Sequence, residues 1–241
     1  LAPVAARGAL GVVAPLLALA QLVWTGPGYR FEVDAFGTVL TLVRTDAMSL
    51  AFGYVFAIAA CLNGIYAWHV RRGVEQPAAL VYAGAAMAAI FAGDLLSLFV
   101  FWEISAVASA LVVWAGGTSA AYRAGMRYLV AQLASGMLLA AGAALHYAGT
   151  GSIAFDTIGL APPGGLLLLL AFGIKCAFPL LHNWLQDAYP EASATGTVVL
   201  SAFTTKIGIY ALARGFPGEE MLVYIGVTMA VFPIFFAVIE N

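Results

Sequence analysis

The chain has 241 residues, of which 63% are hydrophobic and only 9% are charged, and its formal net charge is −2. Its mean hydropathy of +0.97 lies far above the range of a domain with a solvated surface, so the composition excludes an ordinary water-soluble protein. Runs without Asp, Glu, Lys or Arg recur near the ~20 residues that a helix needs to cross a bilayer. Because these runs are continuously apolar rather than alternating, they predict an all-α polytopic membrane protein.

Eight helices are predicted in chain order, separated by turns rich in Gly and Pro. They cover residues 9–24, 46–70, 77–92, 94–115, 124–148, 164–186, 193–214 and 219–240. The mixed connector over 25–45 alternates polar and apolar residues, which predicts a short hairpin on the membrane surface. The chain begins on Leu1 and stops inside an apolar helix, so we expect a fragment of a longer protein.

Basic residues near short loops predict the orientation in the membrane. Five arginines fall on one face if the helices alternate in direction, namely Arg7, Arg71, Arg72, Arg123 and Arg127. We therefore expect a multi-pass protein of the cell inner membrane, with the loops at 71–76 and 116–127 in the cytoplasm.

Glu103 is an acid at membrane depth, in the run DLLSLFVFWEISAVASALVVW. It follows Asp94, a predicted N-cap, by nine residues, or roughly 13 Å of helix. A protonated carboxyl that bonds to a neighbouring helix is one interpretation. The cost of burying an ionisable group favours the other, a carboxyl that carries protons.

Lys175 is similarly deep, and Pro179 follows four residues later. Snorkelling toward the nearer, C-terminal end is the alternative to an interior position, but helical side chains lean toward the N-terminus. Proline has no N–H for the carbonyl four residues earlier, and its ring crowds that carbonyl. We therefore expect the helix to break at the lysine itself.

Lys206 is a second lysine inside an apolar run, with Thr204, Thr205 and Gly208 around it. These neighbours offer hydroxyl groups and a close backbone approach, so we expect an interior, polar position. His182 lies beyond the proline, and it is either a proton carrier toward the cytoplasmic side or a structural residue.

One acid and two bases on separate helices suggest a mechanism without a cofactor. An ion pair between Glu103 and Lys175 that opens and closes is a candidate switch, because it would let Lys175 release its proton toward Lys206.

The segments around these charges resemble the proton-conducting antiporter-like family, which comprises membrane proteins of Mrp-type Na⁺/H⁺ antiporters and the antiporter-like subunits of respiratory complex I. The similarity is strongest to the D-type subunit of the Mrp antiporter. It rests on FAGDLLSLFVFWEISAVAS at 91–109, on residues 121–147, on LAFGIKCAFPLLHNWLQDAYPEASATGTVVLSAFTTKIGIYALAR at 170–214 and on PIFFAVIEN at 233–241.

The resemblance implies that Glu103, Lys175 and Lys206 form a proton half-channel, with Lys206 as the link to a second half-channel in an inverted repeat. It also implies four segments. These are an N-terminal helix with its extracytoplasmic connector at 1–45, a further helix at 46–76, a five-helix antiporter-like repeat at 77–214 and the start of a truncated second repeat at 215–241.

The leading functional hypothesis is a proton-translocating subunit of a multisubunit monovalent cation (Na⁺)/H⁺ antiporter. The alternatives are a proton-pumping subunit of an NADH:quinone oxidoreductase or related membrane hydrogenase, and a non-conducting structural subunit. We expect other membrane subunits and the lipid bilayer as partners, protons as the transported ion with Na⁺ as a further candidate, and no nucleic acid.

No haem, iron–sulfur, nucleotide or nucleophile motif appears, and Cys61 and Cys176 have no paired spacing. We therefore expect no cofactor, no metal centre and no active site of its own; within complex I the chain would be a translocase subunit.

Overall fold

The computed structural model describes residues 4–35, 37–70 and 73–239. Helices separated by short turns make up most of this part, and one hairpin follows the first helix. In chain order the elements are α1 (Val4–Thr25), β1 (Arg30–Ala35), β2 (Thr38–Arg44), α2 (Ala47–Tyr66) with a 3₁₀ turn (Ala67–His69), α3 (Glu75–Phe91), α4 (Leu95–Trp114), α5 (Ser119–Thr150), α6 (Gly165–Lys175), α7 (Asn183–Ala188), α8 (Ala194–Gly215) and α9 (Glu220–Ile239).

The predicted polytopic helical fold is confirmed. In the described part of the chain, α1, α2, α4, α5 and α8 are long and apolar enough to cross a membrane. The predicted helix over 164–186 is divided into α6 and α7, so α6 is a shorter apolar helix of 11 residues.

The main difference from the predicted bounds lies at the start of α5. The hydroxyl of Thr118 accepts a hydrogen bond from the amide of Ala121 at 2.8 Å, which caps the helix at Ser119 instead of 124. Most of the loop predicted at 116–127 is therefore helical. Arg123 and Arg127 lie on the first turns of α5, whereas Arg71 and Arg72 lie outside the described residues.

The helix α4, which carries Glu103, lies at the centre of the bundle. It packs against α3, α5 and α8, and α6 packs against α5 and α8. Large side chains from these helices form one continuous core, and the largest that are fully buried include Tyr82, Trp102, Tyr128, Phe172 and Phe203.

One end of the bundle, which we call the hairpin end, consists of β1, β2, residues 92–94 and residues 151–164. The strands pair antiparallel from Arg30 opposite Arg44 to Ala35 opposite Thr38, so the predicted hairpin is confirmed. The hairpin is fixed to the start of α4, because the amide of Thr41 donates to the carboxylate of Asp94 at 2.7 Å. Asp94 also accepts from the amide of Ser97 and is the predicted N-cap.

The opposite end, the loop end, consists of residues 73–75, 115–118 and 189–193. The Ser193 hydroxyl donates to Oε1 of Glu75 at 2.8 Å. A Cβ added to Gly116 would overlap the carbonyl oxygen of Glu191, so these two loops also touch. The loop end is therefore closed by direct contacts between the starts of α3 and α8 and the end of α4.

Candidate functional site

The chain breaks out of the α-helix directly after Lys175, as predicted. Pro179 cannot donate to the Lys175 carbonyl, and the amide of Phe178 turns back to the carbonyl of Gly173 at 2.9 Å. The Phe178 ring lies so close to Gly173 that an added Cβ would be 2.5 Å from it. Ala177 and Leu180 adopt positive φ angles of 59° and 70°, so the turn contains two non-glycine residues in the left-handed region.

The Lys175 side chain is fully buried and makes no ion pair in the described part of the chain. Its Nζ donates to the hydroxyl of Ser105 at 3.2 Å and to the carbonyl of Trp102 at 3.3 Å. The same Nζ lies 4.2 Å from the centre of the Trp102 ring. Two oxygens and one aromatic face therefore surround the amino group, which matches the three donor directions of an ammonium.

Trp102 is itself held in place by hydrogen bonds. Its indole N–H donates to the hydroxyl of Ser135 at 3.0 Å, and that hydroxyl donates to the carbonyl of Ala171 at 2.7 Å. The indole thereby connects α4, α5 and α6 around Lys175. This arrangement keeps the aromatic face in position under the amino group.

Glu103 follows Trp102 in sequence, but its carboxylate points elsewhere. No ion pair within 4.0 Å joins it to Lys175 among the described residues. Its Oε1 is buried without a hydrogen-bond partner there and lies against α5, where a Cβ added to Gly136 would overlap it. One turn earlier on α5, Gln132 is buried with both amide atoms unpartnered. The structure thus shows Glu103 and Lys175 separated.

A row of buried hydroxyl groups begins one turn of α4 beyond Ser105. Ser109 accepts a hydrogen bond from the Tyr128 hydroxyl at 2.8 Å, and Tyr128 lies 3.3 Å from the hydroxyl of Thr204. Thr204 is also hydrogen-bonded to the hydroxyl of Tyr82. The row therefore joins α4, α5, α8 and α3 in the interior of the bundle.

The hydroxyl row does not reach Lys175 through protein hydroxyls alone. Ser109 donates to the backbone carbonyl of Ser105 at 2.7 Å, and the Ser105 hydroxyl donates to the carbonyl of Trp102, also at 2.7 Å. A backbone carbonyl accepts a hydrogen bond but has no proton to pass on. One helical turn thus separates the lysine from the row.

Lys206 lies at mid-length of α8, but on its outward side, where it is exposed. The inner side of α8 is formed by Phe203, Thr204 and Ile207, which explains why Lys206 does not share the interior with Lys175. Its Nζ donates to the carbonyl of Ser201 at 2.7 Å. The expected close approach at Gly208 is present, since an added Cβ there would lie 2.7 Å from the Cys176 sulfur.

His182 is half-buried and precedes α7 across the break from Lys175, and Pro179 is half-buried within the break. On α7, the carboxylate of Asp187 forms a bidentate pair with the Arg127 guanidinium of α5. This pair lowers the pKa of Asp187 below its ordinary value, chiefly through the hydrogen bond from Arg127. It fixes the segment after the break to α5.

Sequence reasoning missed the uncharged partners of Lys175 and the members of the hydroxyl row. Ser105 and Ser109 are four residues apart on the helix of Glu103, and this spacing on one helix face was the available signal. Tyr82 and Tyr128 carried no comparable signal, because apolar surroundings make a buried tyrosine look like any core aromatic.

Comparisons with known proteins cover this region. The family described as "NADH:quinone oxidoreductase/Mrp antiporter, TM" matches residues 92–239, which include Glu103, Lys175 and Lys206. The chain is 29% identical over 210 residues to the D subunit of a Na⁺/H⁺ antiporter of Bacillus subtilis, covering 80% of this chain and 40% of that protein. It is 38% identical over 185 residues to NAD(P)H-quinone oxidoreductase chain 4 3 of Trichormus variabilis, covering 71% of this chain and 34% of that protein.

A solved structure shares the fold. The structure of the Mrp complex from Dietzia sp. DQ12-45-1b contains a chain that matches with a TM-score of 0.77 at 24% identity, over 92% of this chain and 46% of that chain. The chain therefore spans less than half the length of each of these proteins.

Proposed function

Because the chain belongs to the NADH:quinone oxidoreductase/Mrp antiporter transmembrane family, we propose that it is the proton-translocating part of a multisubunit Na⁺/H⁺ antiporter. The observation that carries the proposal is the position of Lys175 at a helix break, fully buried and surrounded by uncharged partners. A buried lysine without a carboxylate partner is costly to keep charged, and such residues within membranes mark ion pathways.

In this proposal, a proton reaches Lys175 from the loop end through the hydroxyl row, and water bridges the turn between Ser109 and Ser105. Glu103 acts as the switch. When its carboxylate leaves Gly136 and approaches Lys175, the ammonium is stabilised, and when it returns, the lysine releases its proton. The two positions of one side chain thus correspond to loading and release.

Lys206 is the proposed exit from this half of the path. Its outward position on α8 suits a residue that passes protons to further membrane elements lying against that helix. His182 is proposed as a proton carrier on the loop side of the break. We also propose that residues 77–214 form one repeat and that the loop end, near Arg123 and Arg127, faces the cytoplasm of a cell inner membrane.

A second candidate function is a proton-pumping subunit of a quinone oxidoreductase. The 38% identity to the NAD(P)H-quinone oxidoreductase chain of Trichormus variabilis favours it. The path through Lys175 would be the same, and the partner subunits would differ. Proton flux driven by a Na⁺ gradient in vesicles that hold the whole assembly supports the antiporter, whereas flux that requires NAD(P)H and quinone supports the second candidate.

The path itself is tested with Lys175→Ala and Glu103→Ala in vesicles that hold the full assembly. We expect each variant to abolish proton flux, since one removes the carrier and the other the switch. Arg123→Ala is the matched control, because it removes an exposed cation from the start of α5 and should keep flux. Normal flux in either interior variant would falsify the paired switch.

A further inference from the structure

A small cavity lies near the loop end, between α1, α2, α3 and α8 and apart from Lys175. Its volume is about 30 Å³, which exceeds the ~10–15 Å³ that a cavity needs to hold one water molecule. Half of the residues that line it are glycine or alanine, and the polar wall residues are Asn63, Glu75, Gln76 and Thr195. Among the described residues that line it, none is Lys, Arg or His. The described part of the wall therefore contains an acid and no basic side chain.

Glu75 is only 3% exposed, and its two carboxylate oxygens have different surroundings. Oε1 accepts hydrogen bonds from the hydroxyls of Ser193 and Thr195. Oε2 is buried and has no hydrogen-bond partner in the described part of the chain. Both protein donors thus bond to the same oxygen, and the buried Oε2 is left as an acceptor that a ligand could satisfy.

Asn63 places a second unpartnered oxygen in the same wall. It is 8% exposed, and its Oδ1 is buried without a donor among the described residues. The side-chain amide of Gln76, in the same wall, donates to the carbonyl of Ala67 at 2.7 Å and not to Asn63. A buried acceptor without a donor costs free energy unless a ligand satisfies it.

A backbone carbonyl without a helical N–H partner lies beside this wall. Gly11 of α1 lines the cavity, and Pro15, four residues later in the same helix, has no N–H for the Gly11 carbonyl. A Cβ added to Gly64 would overlap that carbonyl oxygen, so it lies against α2 beside Asn63. The Gly11 carbonyl therefore lies next to the cavity, whose wall contains the carboxylate of Glu75 and the amide of Asn63.

We propose that this cavity binds one Na⁺, coordinated by Oε2 of Glu75 and Oδ1 of Asn63. Oxygen ligands with one formal negative charge suit a hard monovalent cation, whereas sites for Ca²⁺ usually carry several carboxylates. The volume admits a single ion with most of its hydration shell removed. This site goes beyond the proposed proton path and shares no residue with it.

The experiment measures equilibrium binding of radioactive sodium to the purified full assembly, with choline chloride replacing NaCl at constant ionic strength. We expect Glu75→Gln to remove one bound Na⁺ per assembly, because it cancels the charge and places an amide N–H₂ where Oε2 was. Asn63→Ala should retain the carboxylate and weaken binding at the same site, by at least the ~10- to 100-fold that loss of a supporting residue costs at metal sites. Gly84→Ala on α3 is the fold control, since an added Cβ meets no atom within 4 Å there.

Asn63→Asp provides a test that does not depend on loss of binding. A second carboxylate should shift the preference of the site from Na⁺ toward Ca²⁺. Equal Na⁺ binding in the wild type, Glu75→Gln and Asn63→Ala would assign the ion to another site and overturn the proposal. A wild-type assembly that binds no Na⁺ would do the same, and the cavity would then hold water. Because binding is measured without transport, neither result bears on Lys175 and Glu103.

Discussion

At the scale of single residues, the contact between Glu103 and Gly136 decides where the buried carboxylate can rest. Glycine is required on α5 because any side chain would occupy the position of Oε1. Lys175, in contrast, is fully buried and hydrogen-bonded to Ser105 and Trp102. We therefore assign the mobile role in the proposed switch to the acid.

Gly136→Ala is expected to lower proton flux per assembled complex by on the order of tenfold to a hundredfold. The added Cβ displaces the Glu103 carboxylate from its resting position, and small misplacements of reacting groups have effects of that size. The measurement is proton flux in vesicles, normalised to the amount of assembled complex so that assembly defects do not count as loss of flux.

Gly84→Ala is the matched control for this change as well. It makes the same substitution within a helix, but the added Cβ meets nothing within 4 Å. Its flux should equal that of the wild type. Full flux in an assembled Gly136→Ala complex would show that the resting position of Glu103 is irrelevant to transport.

At the scale of elements, the break between α6 and α7 is caused locally by Pro179, and the turn that follows is strained. Pro179 ends the hydrogen-bond ladder at Lys175, and the turn then requires left-handed backbone at Ala177 and Leu180. An L-residue other than glycine is held in this region at a cost of about 1–2 kcal/mol. Packing of Phe178 against Gly173 and of the segment against α8 maintains the turn.

Ala177→Gly is expected to stabilise the protein by up to about 1 kcal/mol, because glycine adopts a φ of 59° without strain. Ala144→Gly, on the exposed surface of α5, should have the opposite sign and cost about 1 kcal/mol. Thermal unfolding of the detergent-solubilised assembly compares the two. A lower unfolding midpoint for both variants would mean that packing of the Ala177 methyl group stabilises the protein by more than the positive φ destabilises it.

The sequence was sufficient for features that depend on local chemistry. The spacing of Lys175 and Pro179 predicts the break, because the missing N–H and the affected carbonyl are four residues apart in one helix. Alternation over Arg30 to Asp34 predicts the hairpin in the same way. The direction of Glu103 was not predictable, since it depends on a gap at Gly136 across a helix interface. Lys206 was expected inside, because its depth can be read from the chain but the side of α8 that the bundle covers cannot.

At the scale of the whole molecule, an ion network closes the hairpin end. Arg214 of α8 donates two hydrogen bonds to Asp46 at the start of α2, at 2.7 and 2.8 Å. Arg44 of β2 lies 3.7 Å from Asp46 and 2.7 Å from Asp156. The network thus joins the hairpin, α2, α8 and the connector between α5 and α6.

Asp46 makes this end sensitive to acid. Burial raises the pKa of its carboxyl, but the amide of Ser49 and the guanidinium groups of Arg214 and Arg44 lower it more, so the pKa lies below the ordinary 3.8. A carboxyl whose pKa is lower in the folded state stabilises that state above its unfolded pKa. This stabilisation is lost as the pH falls from about 4, near the unfolded pKa, through the lower pKa of the folded state.

Asp46→Asn should therefore lower the thermal midpoint of the assembly at neutral pH and flatten its decline on acidification. Glu32→Gln changes an exposed carboxyl on the neighbouring strand β1 and serves as the control. Midpoints recorded between neutral pH and about pH 3 provide the comparison. An Asp46→Asn curve parallel to that of the wild type would show that the network contributes nothing that depends on charge.

The single turn of α4 between Ser105 and Ser109 has a consequence for energy conservation in the proposed transport role. A membrane that stores energy as a proton gradient is discharged by any unbroken row of exchangeable protons across it. The backbone carbonyl of Ser105 is an insulating spacer in that row, because hydrogen bonds end on it from one side and are not continued on the other. Proton leakage at rest then depends on how often water occupies the gap between Ser105 and Ser109. A hydroxyl-rich interior therefore does not by itself discharge the proton gradient.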